Sequence, residues 1–149
     1  MIRQFRTDDA QACGAIIHDY IGRDPQLSDA LRERLRRAES AETMIQRAHL
    51  FYVSVYESNG SIVGVGGLEL NEVRLLCVSA ENQDKGIGKA LLEHLEFMVP
   101  SELFSDIFVY STFAAVNFYR AQGFTPRGEF VFDMCGEPLT TVFMTKATR

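Results

Sequence analysis

Glu72-Val-Arg-Leu-Leu-Cys-Val78, then Ser79-Ala-Glu-Asn82, then Gln83-Asp-Lys-Gly-Ile-Gly-Lys89 reads as a strand, a polar turn and the start of a helix. Val73, Leu75, Leu76, Cys77 and Val78 form a mostly apolar, β-prone run, the pattern of a strand buried on both faces. Gly86 and Gly88 keep side chains off the first helical turn, where backbone N–H groups lack intrahelical partners. Free donors and the positive helix end make such a turn an anion site. Lys85 and Lys89 add two mobile positive charges at its rim. The stretch therefore predicts a turn that holds a pyrophosphate.

Working outward, the helix from Gly86 to about Val99 carries Ile87, Leu91, Leu95 and Met98 on one stripe, with Lys85, Lys89, Glu93 and Glu96 opposite. Pro100 stops it. Upstream, Ile2 to Arg6 predicts a short opening strand, followed by a helix from about Asp9 to Tyr20 that Gly22 and Pro25 break. A second helical region spans about 26–48, with Leu27, Leu31 and Leu35 spaced four apart. Arg32, Arg34, Arg36 and Arg37 on its other face read as a solvated surface or, alternatively, as a dock for an acidic substrate. From Leu50 the period becomes two. Phe51, Val53 and Val55 alternate with Tyr52, Ser54 and Tyr56, residues 57–61 turn the chain, and Ile62 to Leu70 returns as a hairpin partner. Gly64, Gly66 and Gly67 inside that partner predict a bulge or the close approach of another backbone.

Downstream, Asp106 to Tyr110 predicts a strand joined to the central one by a parallel crossover. Ser111 or Thr112 caps a short helix through Ala121, with Gly123 at its C′ position. The tail predicts a last hairpin, 127–135 with 139–146, around Gly136-Glu137-Pro138. The whole predicts a single α/β domain over residues 1–149, with a mixed, twisted sheet of six or seven strands and helices on both faces.

Bulk properties narrow the function. The chain has 149 residues, 46% hydrophobic and 23% charged, with formal net charge −5 and a pI near 5.2. That balance argues against a nucleic-acid binder. No apolar run reaches membrane-spanning length and the amino terminus lacks a signal core, so a cytoplasmic protein is expected. Cys13, Cys77 and Cys135 are widely spaced and odd in number, which suits reduced thiols. His18, His49 and His94 do not cluster at ligand spacing, so no metal is expected. Competing phosphate motifs fit poorly. A dinucleotide fingerprint needs a third glycine near Leu91, and a Walker loop needs a hydroxyl where Ala90 stands.

Gln83, Gly86 and Gly88 in the turn, and Ala115-Val-Asn-Phe118-Tyr119-Arg-Ala-Gln-Gly123-Phe124 one strand later, together resemble the GNAT superfamily of acetyl-CoA-dependent N-acetyltransferases. The resemblance covers essentially the whole chain and implies a sheet splayed in the middle. It implies that backbone N–H groups from Asp84 through Lys85, Gly86, Ile87 and Gly88 to Lys89 cradle the coenzyme A pyrophosphate, with Lys85 favoured over Lys89 for a side-chain contact. It implies that Leu76, Cys77 and Val78 offer main-chain groups to the pantetheine arm, with the Val78 N–H near the acetyl carbonyl. Tyr119 matches the tyrosine that protonates the departing thiolate, and Glu72, or Glu69 as a spare, matches the base that deprotonates the amine. A packed aromatic and a solvent-facing carboxylate are the plainer roles for the same residues. Thr112 stands where many relatives have a cofactor-contacting asparagine, and Asn117 is the substitute. Cys77 reads as a small buried strand residue in preference to a nucleophile.

The expected function is acetyl transfer to a primary amine of a small molecule or peptide by direct attack in a ternary complex. A non-catalytic acyl-CoA-binding domain and a nucleotide-binding module are the alternatives. The acceptor side would be formed by Asp19, Tyr20, the arginines of the second helix and residues 133–138. Its acids and tyrosines lean toward a cationic small molecule or peptide amine. The last hairpin would also allow a homodimer.

Overall fold

In the computed structural model, which describes residues 1–148, the extended segments pair into one seven-stranded sheet of order β1-β2-β3-β4-β5-β7-β6. The strands are β1 (Ile2–Gln4), β2 (Tyr52–Ser58), β3 (Ser61–Glu69), β4 (Glu72–Val78), β5 (Asp106–Ser111), β6 (Thr125–Met134) and β7 (Glu137–Ala147). The helices are α1 (Ala10–Arg23), α2 (Asp29–Ala38), α3 (Ala41–Leu50), α4 (Ile87–Met98) and α5 (Val116–Ala121). The β4–β5 pairing is parallel and all others are antiparallel. None of the helices described is long and apolar enough to cross a membrane.

Each face of the sheet has its own core. Leu92, Leu95 and Val99 from α4 meet Leu68, Val73, Ile107, Val109 and Met144 on one face, where Tyr119 and Phe124 also pack. Cys13, Ile16 and Ile17 from α1 and Met44 from α3 meet Val53, Val55, Val65 and Cys77 on the other. Burying each large apolar side chain contributes about 1.5–3 kcal/mol. The start of α1 is fixed by Arg3, which donates to both Asp9 carboxylate oxygens at 2.8 and 2.9 Å and to Glu57 at 2.8 Å. That guanidinium holds the Asp9 carboxyl below its ordinary pKa.

Three local expectations are corrected. The helical region over 26–48 is two helices, because Ser40 adopts extended backbone and its Oγ accepts the Thr43 N–H at 3.1 Å, capping α3. Serine competes for backbone groups in this way and suits a cap better than a helix interior. Helix α1 continues through Gly22 to Arg23. A Cβ at Gly22 would stand 3.0 Å from Arg36 Cζ, so the glycine gives the α2 guanidinium room to pack on α1. Finally, the β6–β7 turn is Cys135-Gly136, both at positive φ (54° and 86°), in place of Gly136-Glu137-Pro138.

The glycines of β3 mark a close approach. A Cβ at Gly64 would lie 2.9 Å from Leu91 Cδ1 and 3.1 Å from Ile87 Cγ2, so α4 sits directly on the strand. Gly67 adjoins a register irregularity opposite β4. Because Leu91 is fully buried, Gly64→Ala is expected to cost about 1–3 kcal/mol through overpacking. Urea unfolding with an unchanged slope would register this, and an unaltered midpoint would show that α4 yields without cost.

Candidate active site

The site begins where two strands separate. β4 and β5 pair only at Glu72 and Phe108. Phe108 N–H donates to Asn71 O at 2.9 Å, and Asn71 Nδ2 donates to Asp106 O at 2.9 Å, pinning the closed end. Beyond it β5 turns to β7 and leaves the β4 edge open. Ser79 N–H donates to Val63 O at 2.9 Å, and bonded pairs recur at every second residue of an antiparallel ladder. Cys77 therefore bonds Val65 across β3, while Leu76 and Val78 turn their N–H and C=O groups toward the gap. The Val78 carbonyl accepts from Gln83 Nε2 at 2.7 Å. Gln83 thus ties the glycine turn to the end of β4.

The turn itself is built to leave donors free. Ser28 and Ser40 cap α2 and α3 with their hydroxyls, accepting from Leu31 N–H and Thr43 N–H. α4 has no side-chain cap; its N-cap is Gly86, at φ 81°. That left-handed conformation favours glycine. Asp84 precedes it at φ 60°. With no cap, the first amides of the 12-residue α4 face outward at the positive helix end.

A cavity of about 550 Å³ joins these parts. Of the residues singled out from the sequence, Leu76, Cys77, Val78, Gln83, Asp84, Gly86, Ile87, Gly88, Lys89 and Tyr119 line it. Lys85, expected to outrank Lys89, instead directs its Nζ to Asn82 Oδ1 at 3.3 Å and stands outside the lining. Thr112 and Asn117 are outside it as well; Thr112 Oγ1 shares a 3.2 Å hydrogen bond with the Tyr20 hydroxyl, and Asn117 is exposed. Asn82, Ala114, Phe118 and Gln122 line the cavity without having been singled out for it. The Phe118 ring closes the cavity beside Gly88, where a Cβ would meet it at 3.4 Å. Asn82 and Gln122 carried no motif signal. Tyr20, expected on the acceptor side, reaches the cavity from α1 on the opposite face of the sheet from α5.

Tyr119 is 5% exposed, edge-on to Phe118 and Phe124 at ring separations of 5.2 and 5.3 Å. Its hydroxyl makes no hydrogen bond among the described residues, and burial raises its pKa well above the usual phenol range. The group therefore stays protonated and is available as a donor. Burial also pushes the Cys77 thiol up to about 12, the state of an inert thiol. Glu72 lies at the closed end of the gap and does not line the cavity. It stands four positions from Leu76, about 13 Å along a strand. Burial raises its pKa, against the opposing pull of Arg74. Glu69 is bound by Arg74 at 2.7 Å, and Arg74 stands 3.9 Å from Glu72. No group of three or more His, Cys, Asp or Glu arranged to hold a metal occurs among the described residues.

The model of the acetyltransferase (GNAT) domain family matches residues 19–136. An uncharacterized N-acetyltransferase of Chlorobaculum tepidum is 27% identical over 128 residues, covering 83% of this chain and 74% of that protein. Among solved structures, a GCN5-related N-acetyltransferase from Rhodopseudomonas palustris superposes with a TM-score of 0.89 at 20% identity, over 99% of this chain and 94% of the other. The PaiA N-acetyltransferase of Thermoplasma acidophilum, solved in complex with coenzyme A, gives 0.74 at 19% identity, over 99% and 98%. The splayed β4–β5 pair and the uncapped glycine turn lie within the matched segment, and the chain belongs to the GNAT acetyltransferase family.

Proposed function

We propose that this protein transfers an acetyl group from acetyl-CoA to a primary amine of a small molecule or peptide, by direct attack with both substrates bound. One observation carries the reading: a single cavity connects the uncapped α4 turn, the unpaired edge of β4 and the Tyr119 side chain. These parts fit coenzyme A chemically. The amides of Gly86, Ile87, Gly88 and Lys89 would receive the pyrophosphate, and Lys89 adds a charge at the cavity wall. Leu76 and Val78 would bond the amide-containing pantetheine arm as an added strand, the Val78 carbonyl being already engaged by Gln83. When bound, acetyl-CoA supplies an activated acyl carbon with a thiolate leaving group.

The chain's residues then handle protons. The acceptor arrives mostly as ammonium, because the reference pKa of an alkyl amine is about 10.4, and must lose a proton before it attacks. Glu72 receives protons from the nitrogen through a chain of waters, since six positions, about 20 Å along a strand, separate it from Val78. The Val78 N–H faces the negative charge that develops on the acetyl oxygen. As the C–N bond forms and the C–S bond breaks, Tyr119 gives its proton to the departing sulfur and regains one from solvent. The products are the amide and free thiol. Glu69, held by Arg74, is less suited to the base role than Glu72. The free thiols of Cys13, Cys77 and Cys135 agree with a reducing compartment such as the cytoplasm.

Thiol release from acetyl-CoA across a panel of amines tests this reading. Tyr119→Phe removes a hydroxyl with no protein partner, so it should fold normally and lower kcat about 10²-fold with little change in the KM for acetyl-CoA. A change below about threefold would remove Tyr119 from the mechanism, since acid catalysis is worth far more. Cofactor binding with no turnover on any amine would favour a sensor.

The pH profile isolates the base. Glu72 acts deprotonated and its pKa is raised, so kcat/KM should rise with pH along a limb displaced above the ordinary carboxylate range. Glu72→Gln should abolish that limb and slow the reaction about 10²-fold at neutral pH. Retention of the limb in the variant would assign the titration to the amine or to another group.

A further inference from the structure

One face of β5, β7 and β6 carries five aromatic rings in mutual contact. Tyr110 lies 5.1 Å from Phe130, 5.1 Å from Phe132 and 5.2 Å from Phe143, centroid to centroid, and Phe108 lies 5.8 Å from Tyr110 and 5.7 Å from Phe143. Ile107 and Val109 pack on the Tyr119 side of the sheet, so Phe108 and Tyr110 project from the other side. This is the face covered by α1 and α3 over β2–β4. Over the outer strands the rings are left open: Phe130 is 46% exposed and the other four are half-buried. A contiguous aromatic surface of this kind, left in contact with water, marks a binding site.

Its position ties it to the catalytic gap. Tyr110 stands two residues beyond Phe108, the last β5 residue to pair with β4, so it lies on the aromatic face of β5 just past the point where the gap opens, next to the cavity lining and not part of it. Tyr20 lines the cavity from this same face. The α1–α2 loop closes one end of the floor. Gln26 donates to Thr140 O and accepts from Phe113 N–H, and Ser28 donates to Glu137 Oε1 at 2.7 Å. Arg34 donates to the Cys135 carbonyl at 3.0 Å.

The acids that mark this region in the sequence are already engaged. Asp19 pairs with Arg23, Asp24 and Asp133 accept from the backbone N–H groups of Gln26 and Gly136, and Glu137 accepts from Ser28. Each contact orients its carboxylate, and of the four only Asp19 is paired with a cation. Glu72, paired in register with Phe108, remains at the floor's edge for the one amine that reacts.

Resting on the acetyltransfer reading, we propose that the acceptor is a monoamine with an aromatic or bulky apolar body. That body lies on Tyr110, Phe130 and Phe132 while its amine enters the gap beside Tyr20. A polyamine, with no ring to lay on that floor, is the poorer acceptor on this account.

The test compares 2-phenylethylamine with putrescine. With acetyl-CoA, kcat/KM for 2-phenylethylamine should exceed that for putrescine at least about tenfold, as expected for burial of one aromatic ring. Phe130→Ala, at an exposed edge-strand position, should raise the 2-phenylethylamine KM about fivefold or more with kcat nearly unchanged, leaving putrescine unaffected. Val131→Ala, on the opposite side of the same strand, should change neither. Calorimetry on the CoA-loaded protein gives a readout without turnover, and 2-phenylethylamine binding there should weaken in Phe130→Ala. Such binding without any acetylation would refute the acetyltransfer reading and retain the aromatic site. Acetylation that prefers putrescine would do the reverse. A dimer in sedimentation that Phe130→Ala dissociates, with amine preference unaltered, would overturn the proposal in favour of a self-association surface.

Discussion

Two parallel strands that separate after one bridged pair leave backbone groups without their sheet partners, and the rest of the site follows from that fact. A buried N–H or C=O without a partner is costly, so an opened sheet edge must be satisfied from elsewhere. Here Gln83 takes the Val78 carbonyl, while Leu76 and the Val78 N–H face the cavity. An extended chain carrying amides complements such an edge as another strand would. The separation is held by ordinary forces. Asn71 clamps the closed end through its backbone and side chain, and β7 binds the whole length of β5 on its far side.

The same opening lets α4 begin at the rim of the gap. Its hydrophobic stripe fixes the helix on β3, where glycines permit contact, and its uncapped N-terminus is thereby aimed into the cavity. Packing energy from Leu91, Leu92 and Leu95 thus positions a polar feature that makes no packing contribution of its own. On the other face α1, anchored by the Arg3–Asp9 pair, carries Tyr20 to the gap. Each helix brings one end to the break in the sheet, so the cavity can be approached from both sides.

Much of this was legible in the chain. The strand–turn–helix from Glu72 onward, the motif at Ala115–Phe124 and the glycines of β3 each report a local requirement that few residue types meet. What stayed hidden depends on register or on side-chain reach. Gln83 matches a motif position, but nothing local shows that its amide turns back to Val78. The family resemblance favours Lys85 over Lys89, but Lys85 precedes α4 and turns to Asn82, whereas Lys89 sits in the first turn of the helix and lines the cavity. That the Phe130 ring stands open appears only once the topology places β6 at the sheet edge. Ser40 lies within a run of good helix formers, and its role as a cap appears only with the bend between α2 and α3.

The most direct measurement is a ¹⁵N-resolved titration of the protein with coenzyme A. The largest amide shifts should fall on Leu76, Val78 and Gly86 through Lys89, with Cys77, whose N–H is bonded to Val65, moving less. ATP at equal concentration should not reproduce the β4 shifts. Shifts confined to the α4 turn, or absent from both β4 and the turn, would contradict the account that the opened edge of β4 holds the cofactor arm.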